Sequence, residues 1–512
     1  MVTLGVGDEG RGTDEGSTFR NPVHGSSLAD PFVLKFNGHY YAYGTPTVGD
    51  GLPVLRSTDL VSWVPVSDAA VEPPPPGQAH WAPEVAYRNG RFHLYYSTGG
   101  PEGEGHQLRV ATGRSPAGPF DDPVVLDPEE QFTIDAHPFR DDDGQWYLFY
   151  CRDFLHGEPV GTGVVVDRLV DMSTLAGEAV TVMRPHAEWH IYERSRRWYD
   201  RVWDWYTVEG PFVTKHDGRY WCFYSGGAWR AESYGISSAV AGRPLGPFEP
   251  LPSADGADVL RTVPGAMIGP GHGGLVLAPD NVAEYLVYHA WDPQLTGRYP
   301  CVDRLVWAEG RPTSPGPRPD PQPRPPDPDF RDLFDQGEGR PVDPASWRVE
   351  GRWRLGAEEL VQPDPERPAT AVLRFDAPAS YLFEVNLALR SGVAGGAAYG
   401  AFASYLDGAT HTAVVVQPDA DRVAWRSVRG GAPAGEGVVG RIRGDFAATA
   451  YHRLVLRRDG SGVQVTLDDL VVGSVPARHA AGGAVGLFTG RAAAAFAGVS
   501  LTDLDRAERR GA

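Results

Sequence analysis

The stretch DPFVLKFNGHYYAYGT, residues 30–45, decides how this chain folds. An apolar run meets Asn37-Gly38 and an aromatic run follows. That is the sequence form of a tight β-hairpin, because Asn and Gly tolerate the positive φ of a type I′ turn. The pattern returns as APEVAYRNGRFHLYYST (82–98), DAHPFRDDDGQWYLFYC (135–151) and EGPFVTKHDGRYWCFYSG (209–226). A degenerate fifth copy runs from GPGHGGLVLAPDN (269–281) into EYLVYHAW (284–291), where Tyr285 and Tyr288 keep the spacing. Two residues after the turn glycines come Tyr40, Phe92, Trp146 and Tyr220, and five after come Tyr43, Tyr95, Phe149 and Phe223. Each hairpin would bury this aromatic face against the next, which predicts an all-β, five-bladed β-propeller over residues 21–310.

Residues 311–329, RPTSPGPRPDPQPRPPDPD, carry proline at nearly every second position. Such a run favours polyproline II and predicts a semi-rigid linker. Residues 1–20 are expected to be an N-terminal tail. Beyond the linker, residues 330–507 alternate apolar and polar residues in short runs such as YLFEVNLAL, HTAVVVQ and VQVTLDDLVVG, which predicts a jelly-roll β-sandwich. The segment His186–Tyr206, HAEWHIYERSRRWYDRVWDWY, lengthens the spacing between the third and fourth copies. It is either a functional loop or an inter-blade packing insert.

The chain has 512 residues and a formal net charge of -19. That charge repels phosphate backbones and argues against a nucleic-acid partner. No apolar run is long enough to cross a membrane and no secretory signal is visible, so the expected location is the cytoplasm. Cys151, Cys222 and Cys301 are expected to be buried free thiols.

In a propeller the start of each innermost strand lies near the axis, so residues at equivalent repeat positions converge. The acids at the heads of the copies are Asp30, Asp135 and Glu209, with Glu84 just inside the second. Carboxylates gathered in one pocket repel one another, which keeps one protonated while another stays ionised. Glycoside hydrolysis needs that division of labour.

In these motifs, over about residues 21–310, the chain resembles family 43 glycoside hydrolases, and its C-terminal part resembles concanavalin-like accessory domains. The resemblance implies Asp30 as general base, Glu209 as general acid, and Asp135 as the residue that tunes the acid and orients substrate. It implies inversion at the anomeric carbon and a carbohydrate partner carrying terminal α-L-arabinofuranosyl or β-D-xylosyl groups. HWAPEV (80–85) matches the second-blade signature and GPGHGGLV carries the axial histidine, His272. Trp81, His80, Glu84, Arg298 and His272 are further candidates for the substrate site. No cofactor is required by this chemistry, although a structural calcium on the axis near His272 is a further expectation. A β-D-galactofuranosidase and a non-catalytic carbohydrate-binding propeller are the alternatives. A β-fructosidase is disfavoured because Ala29-Asp30-Pro31-Phe32 stands where that class carries Asn-Asp-Pro-Asn-Gly. A scaffold propeller would need no converging acids.

Overall fold

The computed structural model describes residues 17–253, 256–392, 396–442, 445–460, 462–479 and 482–511. Residues 1–16 of the expected tail lie outside them; Thr18–Phe19 form a strand that pairs with Gln322–Pro323.

Five antiparallel blades follow one another. Their innermost strands are Ala29–Phe36, Ala79–Arg88, Thr133–Arg140, Arg201–His216 and Ile268–Leu277. These strands neighbour one another in cyclic order, and the fifth returns to the first. The turns form as their residues dictate. Asn37-Gly38, Asn89-Gly90 and Asp217-Gly218 all take positive φ at both positions, the geometry whose twist matches the flanking strands. The third blade, with DDDGQ, makes a wider turn closed by the Asp141 N–H on the Gln145 carbonyl. Tyr43, Tyr95, Phe149 and Phe223 are fully buried, and Cys151, Cys222 and Cys301 are buried and unbridged.

One irregularity recurs in every blade. The inner strand slips register by one bulge, between Ala29 and Phe32, Trp81 and Glu84, Ile134 and His137, Glu209 and Phe212, and Gly271 and Gly274. The first residue of each bulge is Asp30, Ala82, Asp135, Gly210 or His272, and all five have φ between 43° and 58°. A bulge residue in this left-handed region leaves the ladder and turns its side chain and N–H aside. The freed N–H groups are taken up around the ring. Ala82 donates to Thr45 Oγ1 (2.8 Å), His272 to Ser225 Oγ (2.7 Å), Asp30 to His289 Nδ1 (3.1 Å) and Gly210 to Asp135 Oδ2 (2.9 Å). In each case the acceptor belongs to the preceding blade.

The fifth blade ends with Arg311–Thr313, three residues past the expected boundary at 310. The proline-rich stretch beyond it is no free spacer. Gln322 is buried, and the Arg318 carbonyl accepts from Asn21 Nδ2. Polyproline leaves its carbonyls free, and here protein donors use them.

The C-terminal part is a sandwich of two antiparallel sheets, one built around Tyr381–Gly392 and Ala492–Asp503, the other around Ala398–Asp407 and Ala484–Gly490. Trp347, Phe383, Tyr399 and Phe496 fill the space between them. The helix Leu504–Gly511 follows, past the expected end at 507. The sandwich seats on the turn ends of the inner hairpins. Gly38 abuts Leu333 and Gly498, Tyr87 Oη donates to the Tyr451 carbonyl, and Arg140 donates to the Asp468 carbonyl. Each inner strand therefore runs from the bulge at one end of the propeller to the sandwich at the other.

Candidate active site

The bulges open into a funnel of about 240 Å³. Every residue that lines it falls between Asp30 and Arg298, so the sandwich contributes nothing to its wall. The sandwich instead covers the opposite end of the axis, where Tyr87 and Arg140 meet it. The His186–Tyr206 segment does form part of the wall. It folds as a hairpin, Ile191–Trp198 with Arg201 onward, and Tyr192, Arg196, Trp198 and Trp205 face the funnel.

Asp30, Asp135, Glu209, Trp81, His272 and Arg298 come together in this funnel from five blades. Asp30 sits at the left-handed bulge position of blade one. Arg298 Nη1 reaches its Oδ1 at 2.9 Å and Thr45 donates to its Oδ2 at 2.6 Å. Burial alone would raise this carboxyl. Arg298 and the two histidines, His272 and His289, outweigh burial and hold it well below the usual range. The Arg298 guanidinium is itself steadied over the Trp229 ring, 4.4 Å away.

Glu209 and Asp135 behave oppositely. Burial pushes Glu209 up to about 7; Tyr234, whose Oη donates to Oε1 at 2.7 Å, draws it back, and the Asp30 charge raises it again. Burial likewise drives Asp135 well above the ordinary range, helped by the charges of Glu209 and Asp30 and opposed by the Gly210 N–H. The two acids titrate as a pair that keeps a proton near neutral pH. One funnel thus holds an ionised carboxylate and a protonated one, the arrangement that hydrolysis of an acetal requires.

Two expected site residues are not in the funnel. His80 is buried with both ring nitrogens used, Nδ1 with Thr98 Oγ1 (2.9 Å) and Nε2 with the Glu72 carbonyl (3.0 Å). Glu84 lies two residues past the bulge and meets His137 Nδ1 at 2.7 Å. The other ring nitrogen, His137 Nε2, lies 3.1 Å from the Val213 carbonyl. His272 lines the funnel with Nδ1 3.6 Å from Asp30 Oδ1. The expectation of an axial calcium held by His272 does not fit. Calcium takes six to eight oxygens, and the carboxylate beside His272 is already matched by Arg298. Among the described residues no three His, Cys, Asp or Glu side chains group to hold a metal ion.

Sequence reasoning missed Thr45, Tyr234, His289 and Asp153, the last a funnel-lining carboxyl that burial pushes up to about 6. A signal existed for two of them. Thr45, Ser97, Cys151, Ser225 and His289 are the residues paired with the last position before each bulge. Counting back through the turns marks this second ring, and Thr45 and His289 belong to it. Nothing local marks Tyr234 or Asp153.

The fold and the buried acids define a glycosidase of the propeller class. The model of the glycosyl hydrolases family 43 matches residues 19–312, and the chain belongs to that family. It is an inverting glycoside hydrolase acting on carbohydrate. It is 29% identical over 316 residues to a β-D-galactofuranosidase of Aspergillus niger, 56% of this chain and 82% of that protein. It is 26% identical to an extracellular exo-α-(1->5)-L-arabinofuranosidase of Streptomyces chartreusis, over 53% of this chain and 82% of that one. Among solved structures, a thermostable family-43 glycoside hydrolase superposes with a TM-score of 0.52 at 31% identity, covering 60% of this chain and 99% of that chain.

Proposed function

We propose that the protein is an exo-acting enzyme that removes terminal α-L-arabinofuranosyl or β-D-xylosyl groups by single displacement. Asp30 is the base that takes a proton from the attacking water, and Glu209 is the acid that protonates the departing oxygen. Burial and the Asp30 charge keep that acid protonated, and Asp135 hydrogen-bonds a sugar hydroxyl. The observation that carries this reading is the split between the two carboxyls: Arg298 and Thr45 hold Asp30 ionised, while burial holds Glu209 near 7. The funnel's small volume supports exo action, since it lies below the roughly 300–1,000 Å³ common for larger ligands. Trp81, stacked on His106 at 3.7 Å, offers a supported face for the sugar. A β-D-galactofuranosidase is the second reading, favoured by the Aspergillus niger relative.

A panel of nitrophenyl α-L-arabinofuranoside, β-D-xyloside and β-D-galactofuranoside tests the specificity, with the product anomer followed by NMR. Turnover of one or both of the first two with inversion is expected. Retention, or turnover of none of them, would overturn the proposal.

A further inference from the structure

Asp153 is a carboxyl in the funnel wall that the hydrolytic roles leave unused. Strand register gives its depth. Every inner-strand residue that lines the funnel stands at a bulge or before it, so the three acids sit at the floor and the mouth lies away from the sandwich. The second strand of blade three, Trp146–Phe154, runs back toward that mouth. Its Cys151 pairs with Ile134, the residue before Asp135, and Asp153 stands two residues further on. At about 3.3 Å per residue, this puts Asp153 roughly 7 Å nearer the mouth than Asp135. The neighbouring strand gives the same step. Asp153 pairs with Thr162, and Thr162 pairs with Thr207, two residues before Glu209. Asp153 therefore lies outward of the acids by about the distance between adjoining sugar rings.

The carboxyl is held in place at that level. Thr162 Oγ1 donates to Oδ1 at 2.8 Å, and Tyr199 Oη donates to Oδ2 at 2.9 Å. Tyr199 sits at the tip of the wall hairpin with φ of 52°, a conformation uncommon for a bulky residue and typical of places where strain serves a site. Trp198 also neighbours the carboxyl, and Arg196 stands near enough to favour its ionised form. A carboxylate accepts at about four positions, so these donors leave it room for another. Trp198 and Trp205 line the wall beside it, and Trp205 Nε1 reaches Thr162 Oγ1 at 3.4 Å. One fixed acceptor between aromatic faces is a common way to orient a small polar ligand.

We propose that Asp153 is a specificity-determining residue that accepts a hydroxyl hydrogen bond from the glycan unit carrying the terminal sugar. This rests on the exo reading: a terminal sugar fills the floor, so the unit attached to it must extend toward the mouth and pass Asp153. A neutral, hydroxyl-rich unit suits a carboxylate there.

The test compares two substrates of one sugar: the nitrophenyl glycoside turned over fastest and the disaccharide that repeats that sugar. Asp153→Ala is expected to lower the ratio of kcat/KM for the disaccharide to that for the nitrophenyl glycoside about tenfold, mostly through KM, as loss of one hydrogen bond to a charged acceptor predicts. Asp153→Asn, which keeps one oxygen, should lose part of that ratio, and it decides the matter should Asp153→Ala not fold. Tyr199→Phe separates reading a hydroxyl from merely tying down the hairpin, since it removes the tie and keeps the carboxyl. Its ratio should change by less than about twofold. An unchanged ratio in both Asp153 variants, or a Tyr199→Phe loss as large as that of Asp153→Ala, would overturn the inference. Absent turnover of every nitrophenyl glycoside would sink the hydrolytic reading instead. Calorimetric titration of xylobiose and α-1,5-arabinobiose into wild type and Asp153→Ala then decides this one: binding about tenfold weaker in the variant supports it, and equal or absent binding in both overturns it.

Discussion

Two buried glutamates sit at opposite ends of the propeller axis and do opposite things. At the sandwich end, Glu384 is 2% exposed, yet Arg453 at 2.7 Å, with Lys35 nearby, outweighs burial and keeps it below the ordinary range. At the funnel end, Glu209 has a tyrosine for a partner instead of a cation, and burial pushes it up to about 7. The difference shows what separates a structural acid from a reactive one. Burial alone does not decide; the presence of a matched cation does. The same end-to-end contrast holds more widely. The sandwich interface pairs its charges, as in Arg88 with Asp445, whereas the funnel gathers Asp30, Asp135 and Glu209 and pairs Arg298 with Asp30.

Three experiments sharpen or break this contrast. The largest effect should come from Asp30→Asn and Glu209→Gln. Loss of either group is expected to lower kcat by roughly 10²–10⁴ on substrates with poor leaving groups. With nitrophenyl leaving groups Glu209→Gln should recover much of that loss and Asp30→Asn none, since only the acid assists departure. Equal losses on every leaving group would count against Glu209 as the acid.

A smaller effect is expected at the other end. Glu384→Gln removes one of the two carboxylates on Arg453, leaving Asp469 at 2.6 Å, and should lower stability by about 2 kcal/mol, read as a fall in the melting temperature. Turnover should stay near wild type, because Glu384 is remote from the funnel. A large loss of kcat with an unchanged melting temperature would contradict the separation of the two ends.

The smallest effect concerns pH. In wild type the acid must be protonated, so kcat/KM should fall as pH rises through about 7, the value of Glu209. The Tyr234 hydrogen bond favours the ionised form of Glu209, so Tyr234→Phe should move that alkaline limb upward by up to about one pH unit. The acid limb, set by the depressed Asp30, should move far less. A downward shift of the alkaline limb would show that Tyr234 acts on some other group.

The blades were legible because Asn-Gly and Asp-Gly turns fix hairpin register, and register fixes which residues share a face. Asp30 and Asp135 could be found by that phase. The structure shows, however, that Glu209 stands one position before its bulge and is not their equivalent; His272 is. Sequence phase could not see this, because a bulge inserts one residue without changing composition. His80 and Glu84 were misplaced for the related reason that alternation sends neighbours on a strand to opposite sides. The position of the sandwich was illegible, since nothing in its own alternation says which end of the axis it covers. The proline stretch misled through composition alone: its carbonyls are used by Asn21 and Arg20, donors nearly three hundred residues away.

The handover of bulge N–H groups from blade to blade has a consequence for biosynthesis. Asp30 emerges early from the ribosome, yet the groups that seat it, His289 and Arg298, are made last among the propeller residues. A nascent chain that has completed four blades already owns both Glu209 and Tyr234 but still lacks a seated Asp30. Hydrolytic competence therefore arrives in one step, when the final blade docks against the first.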